Sequence, residues 1–149
     1  MEAVIFTGIQ ASGKSTFYKE RFFDTHVRIS LDLLRTRHRE MLLLNACLTS
    51  QQPFVVDNTN PTRAERSRYI ELALTHGYRL RGFYFRSEVE GCKERNAGRS
   101  ERQIVPLPGL LGTYKRLELP QLKEGYSALY YVTIAADGGF QVSEWQDEV

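Results

Sequence analysis

The sequence predicts a three-layer α/β fold, a mostly parallel sheet with helices on both faces, and three observations carry that prediction. A glycine loop, Gly8-Ile9-Gln10-Ala11-Ser12-Gly13-Lys14-Ser15-Thr16, stands between a short apolar run, Ala3 to Thr7, and a helical stretch that opens at Ser15. Short β-rich runs then alternate with helix-length stretches along the chain, the pattern of parallel strands joined by crossover helices. Finally, Phe54-Val55-Val56 is apolar at every position, as a strand covered on both faces should be.

Each element has its own reason. Ser15 to Asp24 is expected as the first helix, with Phe17, Phe22 and Phe23 toward the sheet and Lys19, Glu20 and Arg21 outward. Val27 to Ser30 reads as the second strand, which delivers Leu31-Asp32-Leu33-Leu34-Arg35 to the carboxyl end of the sheet, where open α/β sheets place their ligands. A basic cluster, Arg35 to Arg39, precedes an apolar helical stretch from Met41 to Leu48, broken by Gln51, Gln52 and Pro53. Phe54 to Asp57 is the third strand and ends in Asp57-Asn58-Thr59-Asn60-Pro61. Thr62 and Glu65 form a capping box for a helix over Arg63 to Thr75, stopped by Gly77. Tyr78 to Arg86 is the fourth strand. Ser87 and Glu90 read as a second capping box, for a helix ending near Ala97 with Gly98 just past it. An Arg-bearing segment, about residues 95–107, looks like a lid over the phosphates. Leu110 to Leu117 is one more helix, Ala128 to Ile134 a fifth strand, and Asp137-Gly138-Gly139 turns the chain into an antiparallel edge strand, Phe140 to Trp145. The acidic last residues should fray.

The glycine loop fits G-x-x-x-x-G-K-[ST] without a gap, with Gly8, Gly13, Lys14 and Ser15 at the fixed positions. Between a strand and a helix N-terminus such a loop turns backbone N–H groups onto one point, where the helix dipole also favours negative charge. That point suits a polyphosphate such as that of ATP. Lys14 carries a point charge to the β- and γ-phosphates, and the Ser15 hydroxyl can bind Mg²⁺, which keeps most of its waters.

Composition sets the outer bounds. At 149 residues the chain is sized for one domain, and 42% hydrophobic with 26% charged residues excludes disorder and a membrane bundle. No apolar run approaches 18 residues and no basic leader precedes the first strand, so a soluble cytoplasmic protein is expected. Cys47 and Cys92 lie far apart without metal-ligand spacing and read as reduced thiols. His26, His38 and His76 form no ligand pair. A formal charge of +2 does not announce nucleic acid, although Arg, the residue that forks onto phosphate, far outnumbers Lys.

Four motifs stand in order: Gly8 to Ser15, Asp32 with Arg35, Asp57 to Pro61, and Arg95-Asn96 with Arg99 before Val105-Pro106. Over roughly Val4 to Leu119 this resembles the kinase domain of the phage-type polynucleotide 5′-kinase family, a branch of the P-loop kinases. The resemblance implies the strand order 2-3-1-4-5 and the use of ATP and Mg²⁺. It implies Gly8, Gln10, Ala11, Ser12, Gly13, Lys14, Ser15, Thr16, Arg95 and Arg99 around ATP, with Ser15 on the metal. Asp32 would be the general base on the acceptor hydroxyl, Arg35 the acceptor-phosphate contact, and Arg99 the lid clamp on the donor phosphates; Arg102 is not separable from Arg99. Asp57 would orient either Arg35 or a metal-bound water, and both remain open. The family often joins this kinase to a phosphatase or ligase; no Asp-x-Asp signature occurs here, so a kinase unit alone is expected. The acceptor implied is a nucleic-acid 5′-OH. A small-molecule kinase and a non-transferring ATP-binding switch are the alternatives.

Overall fold

The computed structural model describes residues 1–146, and the expected fraying of the final residues falls outside them. Six strands form one sheet in the order β2-β3-β1-β4-β5-β6. They are β1 (Glu2–Thr7), β2 (Val27–Ile29), β3 (Phe54–Val56), β4 (Arg79–Phe85), β5 (Ala128–Ile134) and β6 (Phe140–Glu144). The first five are parallel in the expected order, and β6 joins antiparallel at the edge. The helices are α1 (Lys14–Arg21), α2 (Leu31–Leu34), α3 (Arg37–Ser50), α4 (Arg63–Thr75), α5 (Val89–Ala97) and α6 (Leu107–Arg116), with a 3-10 turn at Leu122–Glu124.

Strand alternation sorts the core into two layers. Ala3 and Ile5 of β1 face Leu44 and Leu48 of α3 and Tyr69, Ile70 and Ala73 of α4. Val4 and Phe6 face the other way, onto Phe17, Tyr18 and Phe22 of α1. Phe6 is the hub of this second layer, with the rings of Phe85, Phe17 and Phe83 at 4.9, 5.9 and 6.0 Å in edge-on geometry. A third, smaller cluster of Ile9, Cys92 and Leu110 packs the phosphate loop against α5 and α6. The sheet thus holds the loop from below while two helices hold its flank.

Several local expectations are corrected. Phe23 is 67% exposed, because α1 ends at Arg21 and the chain turns away before Phe23 can reach the sheet. Helix α3 starts at Arg37, not Met41: the Thr36 side chain caps it by accepting from the Arg39 N–H, so the basic cluster forms its first turn. Only half of the Thr62 box forms; Thr62 accepts from Glu65 N–H, while the Glu65 carboxylate takes Arg116 at 2.9 Å. Ser87 is no cap at all. Its hydroxyl donates to Phe85 O at 2.9 Å and accepts the Ile9 N–H at 3.0 Å, so it braces the phosphate loop. Helix α6 begins three residues early because Pro108 fits a first helical turn, where its missing N–H costs nothing.

Candidate active site

The loop between β1 and α1 is shaped by two glycines. Gly13 has φ +104, and a Cβ on Gly8 would lie 2.7 Å from Ser12 Oγ and 3.0 Å from Phe85 Cβ. Both positions therefore exclude a larger residue. Lys14 opens α1 and is buried, its Nζ donating to Gly8 O at 2.9 Å and Ile9 O at 2.8 Å, with Ser12 Oγ at 3.4 Å. Burial pushes Lys14 down to about 8. Asp57, Cys92 and Asp32 oppose that shift, and the Arg99 charge adds to it.

Ser15, the next residue, donates its hydroxyl to Asp57 Oδ2 at 3.0 Å. Asp57 follows β3 and is 4% exposed. The expectation that it might hold Arg35 is corrected: the guanidinium on it is Arg28, from β2, with Nε 2.8 Å from Asp57 Oδ2 and Nη2 3.0 Å from Ser15 Oγ. Val27 and Ile29 turn to the α3/α4 layer, so strand alternation sends Arg28 to the α1 side, where Ser15 lies. Among the described residues no three His, Cys, Asp or Glu side chains converge. A hydroxyl and a carboxylate so close together do fit a hard divalent ion that keeps most of its water.

Helix α2 carries Asp32 at the carboxyl end of β2. Asp32 is exposed and takes no hydrogen-bond or ion-pair partner among the described residues. Arg35 ends the helix with φ +74, an uncommon conformation for a residue with a side chain, and it too is exposed. What fixes this short helix is Asn58. Its Oδ1 accepts the Leu31 N–H at 2.9 Å, and its Nδ2 donates to Glu40 Oε2 at 2.9 Å. Glu40 is 1% exposed and also receives Tyr69 OH at 3.0 Å and Arg37 Nη1 at 3.0 Å. Burial and the Glu40 charge push Tyr69 up to about 12, which keeps its proton available to donate. The rest of the Asp57 to Pro61 turn grips β1: Gly8 N–H donates to Thr59 O at 3.0 Å and Asn60 Nδ2 to Phe6 O at 2.8 Å.

On the other flank, Arg95 of α5 donates from Nε to Ala11 O at 2.7 Å, and Gln10 Nε2 donates to Thr113 Oγ1 of α6 at 3.0 Å. Asn96 closes the Arg99-bearing segment at its base: its amide donates to Val105 O at 2.7 Å and accepts Val105 N–H at 3.0 Å. Arg99 itself is half-buried, whereas Arg102 is exposed. Thr16 lies exposed on α1. Beside Ser12 lies a small open hollow lined by Arg86, Glu88, Gly91, Arg95 and Thr133.

Residues 4–117 match the family described as an AAA domain. The chain belongs to that family. This AAA domain is similar to two curated proteins. One is a bifunctional polynucleotide phosphatase/kinase of Schizosaccharomyces pombe, 26% identical over 132 residues, covering 85% of this chain and 32% of that protein. The other is a putative bifunctional polynucleotide phosphatase/kinase of Acanthamoeba polyphaga mimivirus, 27% identical over 143 residues, covering 91% and 34%. The chain therefore spans about a third of the length of these relatives. Among solved structures, Chaetomium thermophilum Kti12 in complex with ADP-AlF3 superposes with a TM-score of 0.66 at 17% identity, covering 88% of each chain, which establishes the shared P-loop fold.

The loop residues, Asp57 and the position of Asp32 were all legible from motif spacing. Arg28, Asn58, Glu40 and Ser87 were not assigned. Arg28 did leave a signal, since a charged residue between Val27 and Ile29 in a buried-type strand must find a partner. Glu40 left none, because it reads as an ordinary exposed acid in a charged helix start.

Proposed function

We propose that this AAA domain is a P-loop phosphotransferase that moves the γ-phosphate of ATP to a hydroxyl, with the 5′-OH of a polynucleotide as acceptor. The observation that carries the reading is the built loop, buried Lys14 on the carbonyls of Gly8 and Ile9 with Ser15 bonded to Asp57 beside it, and an exposed Asp32 just past the end of β2, the strand that pairs with β3. An exposed carboxylate at the carboxyl edge of the sheet, one strand from the Asp57 turn, is placed to receive an acceptor hydroxyl.

In this scheme the loop N–H groups from Gln10 onward, with Lys14, hold the donor phosphates, with Arg95 at the flank of the loop. Ser15 and Asp57 would hold Mg²⁺, which when bound neutralises charge on the β- and γ-phosphates. Asp32 accepts the proton of the acceptor O–H as that oxygen forms its bond to the γ-phosphorus and the bond to the β–γ bridging oxygen breaks, releasing ADP. Arg99 screens the oxygens of the transferring group, and Arg35 grips the acceptor phosphate. Phosphoryl transfer depends on such positioning and charge neutralisation more than on covalent help.

The polynucleotide acceptor is supported by the similarity to the two phosphatase/kinases. The test is transfer from γ-labelled ATP to an oligonucleotide bearing a 5′-OH, against the same strand with a 5′-phosphate and against free nucleosides and sugars. Label on the 5′-OH strand alone is expected. Label on a nucleoside or sugar only would make the enzyme a small-molecule kinase, and acceptor-independent release of phosphate would make it an NTPase switch.

A further inference from the structure

Arg28 has no part in the scheme above, yet it sits on both side chains that would hold the metal. Its Nε donates to Asp57 Oδ2 at 2.8 Å and its Nη2 to Ser15 Oγ at 3.0 Å, while Ser15 donates to the same Asp57 oxygen at 3.0 Å. The three groups close a triangle. One hydroxyl lone pair and the carboxylate oxygen nearest the loop are therefore already engaged by a cation, in the fork geometry that guanidinium favours. The Asp57 side chain is 2% exposed, whereas Arg28 is 26% exposed. Arg28 thus has solvent to retreat into, and Asp57 does not.

We infer that Arg28 is a built-in cation at the metal seat: it neutralises Asp57 while the seat lacks a divalent ion, and a nucleotide-borne metal must displace it from Ser15. A guanidinium and a divalent ion cannot both lie against Ser15 Oγ without strong repulsion, since like charges a few ångströms apart in a half-buried site are poorly screened. The consequence is a lowered coupling between metal and nucleotide. Without metal, Arg28 supplies part of the positive charge that the phosphates need; with metal, part of the binding free energy goes into moving Arg28 aside. This rests on the reading of the loop as a nucleotide site, and it concerns binding alone.

The test is the ratio of ATP dissociation constants in EDTA and in saturating Mg²⁺, measured by calorimetry for the wild-type protein and for Arg28→Gln. Each ratio is internal to one protein, so a uniform loss of affinity cancels. Removing the resident charge should raise the ratio by about fivefold or more, the lower end of ordinary coupling. Arg28→Lys, which keeps a charge but cannot fork onto both oxygens, should raise it by about two- to threefold, and it serves if the Gln variant fails to fold. Binding of Mn²⁺ to the ADP-loaded proteins, followed by electron paramagnetic resonance, should tighten in the same order. A ratio unchanged or lowered in the variants, with nucleotide binding intact, overturns the role of Arg28 and leaves the kinase reading standing. Absence of ATP binding by the wild-type protein, in EDTA and in Mg²⁺ alike, would overturn both.

Discussion

At the scale of single residues, Lys14 shows how a functional charge is held at a cost to the fold. Its ammonium is buried against loop carbonyls, and its pKa falls from 10.5 to about 8. Between those values the unfolded chain keeps a proton that the folded chain has released, so stability rises with pH across that window, and the cost is present in full below about pH 8. Relative to Lys14→Met, the wild-type protein should gain up to about 2 kcal/mol between pH 7.5 and 9.5, read from urea midpoints. A constant difference between the two proteins would contradict the buried ammonium. Lys14 was legible because its motif has a fixed spacing. Arg28 was not assigned because its meaning depends on β2 lying next to β3, a neighbour relation that no local pattern encodes.

At the scale of elements, the turn after β3 ties the site together through both its side chains and its main chain. Asn58 pins the N-terminus of α2, Asn60 and Thr59 hold β1 and the loop, and Arg66 anchors the turn from behind by donating to Asn60 O at 2.9 Å. Asn58→Ala leaves the Leu31 N–H and part of the Glu40 carboxylate unpaired. It should cost about 1–3 kcal/mol by urea unfolding and lower the transfer rate while the KM for ATP stays within about twofold. Asn58→Asp should be worse, because it sets a carboxylate against buried Glu40; if it matches wild type, the Asn58–Glu40 bond has no role. Arg66 is itself buried and paired with Glu124 at 2.9 Å. Arg66→Met should destabilise by about 3–5 kcal/mol, and adding Glu124→Leu should recover much of that, since the single change strands a buried charge. Helix and strand types were legible here from apolar runs and caps. Boundaries such as the start of α3, and the use of Ser87 as a brace for Ile9, were decided by tertiary contacts that a window of sequence does not contain.

At the scale of the whole molecule, the parallel order β2-β3-β1-β4-β5 brings the ends of β1, β2 and β3 side by side, which sets the phosphate loop, Asp32 and Asp57 along one edge of the sheet although they are distant in sequence. Arg35, which ends α2 just past β2, is exposed. If the acceptor is a strand, its KM should rise with salt, and Arg35→Ala should lower the slope of log KM against log salt by about 0.7, one single-strand phosphate contact; an unchanged slope would remove Arg35 from the acceptor path. The order and the donor loop were legible in the sequence through the resemblance, whereas the acceptor is not encoded in any spacing, because acceptor surfaces are assembled from loops. The central claim is that Asp32 faces the donor across a gap sized for an alcohol. Its most direct test is Asp32→Asn in single-turnover transfer with ATP affinity measured in parallel: transfer should fall by at least about 100-fold while ATP binding stays within about threefold of wild type, and transfer retained within about tenfold would contradict the account.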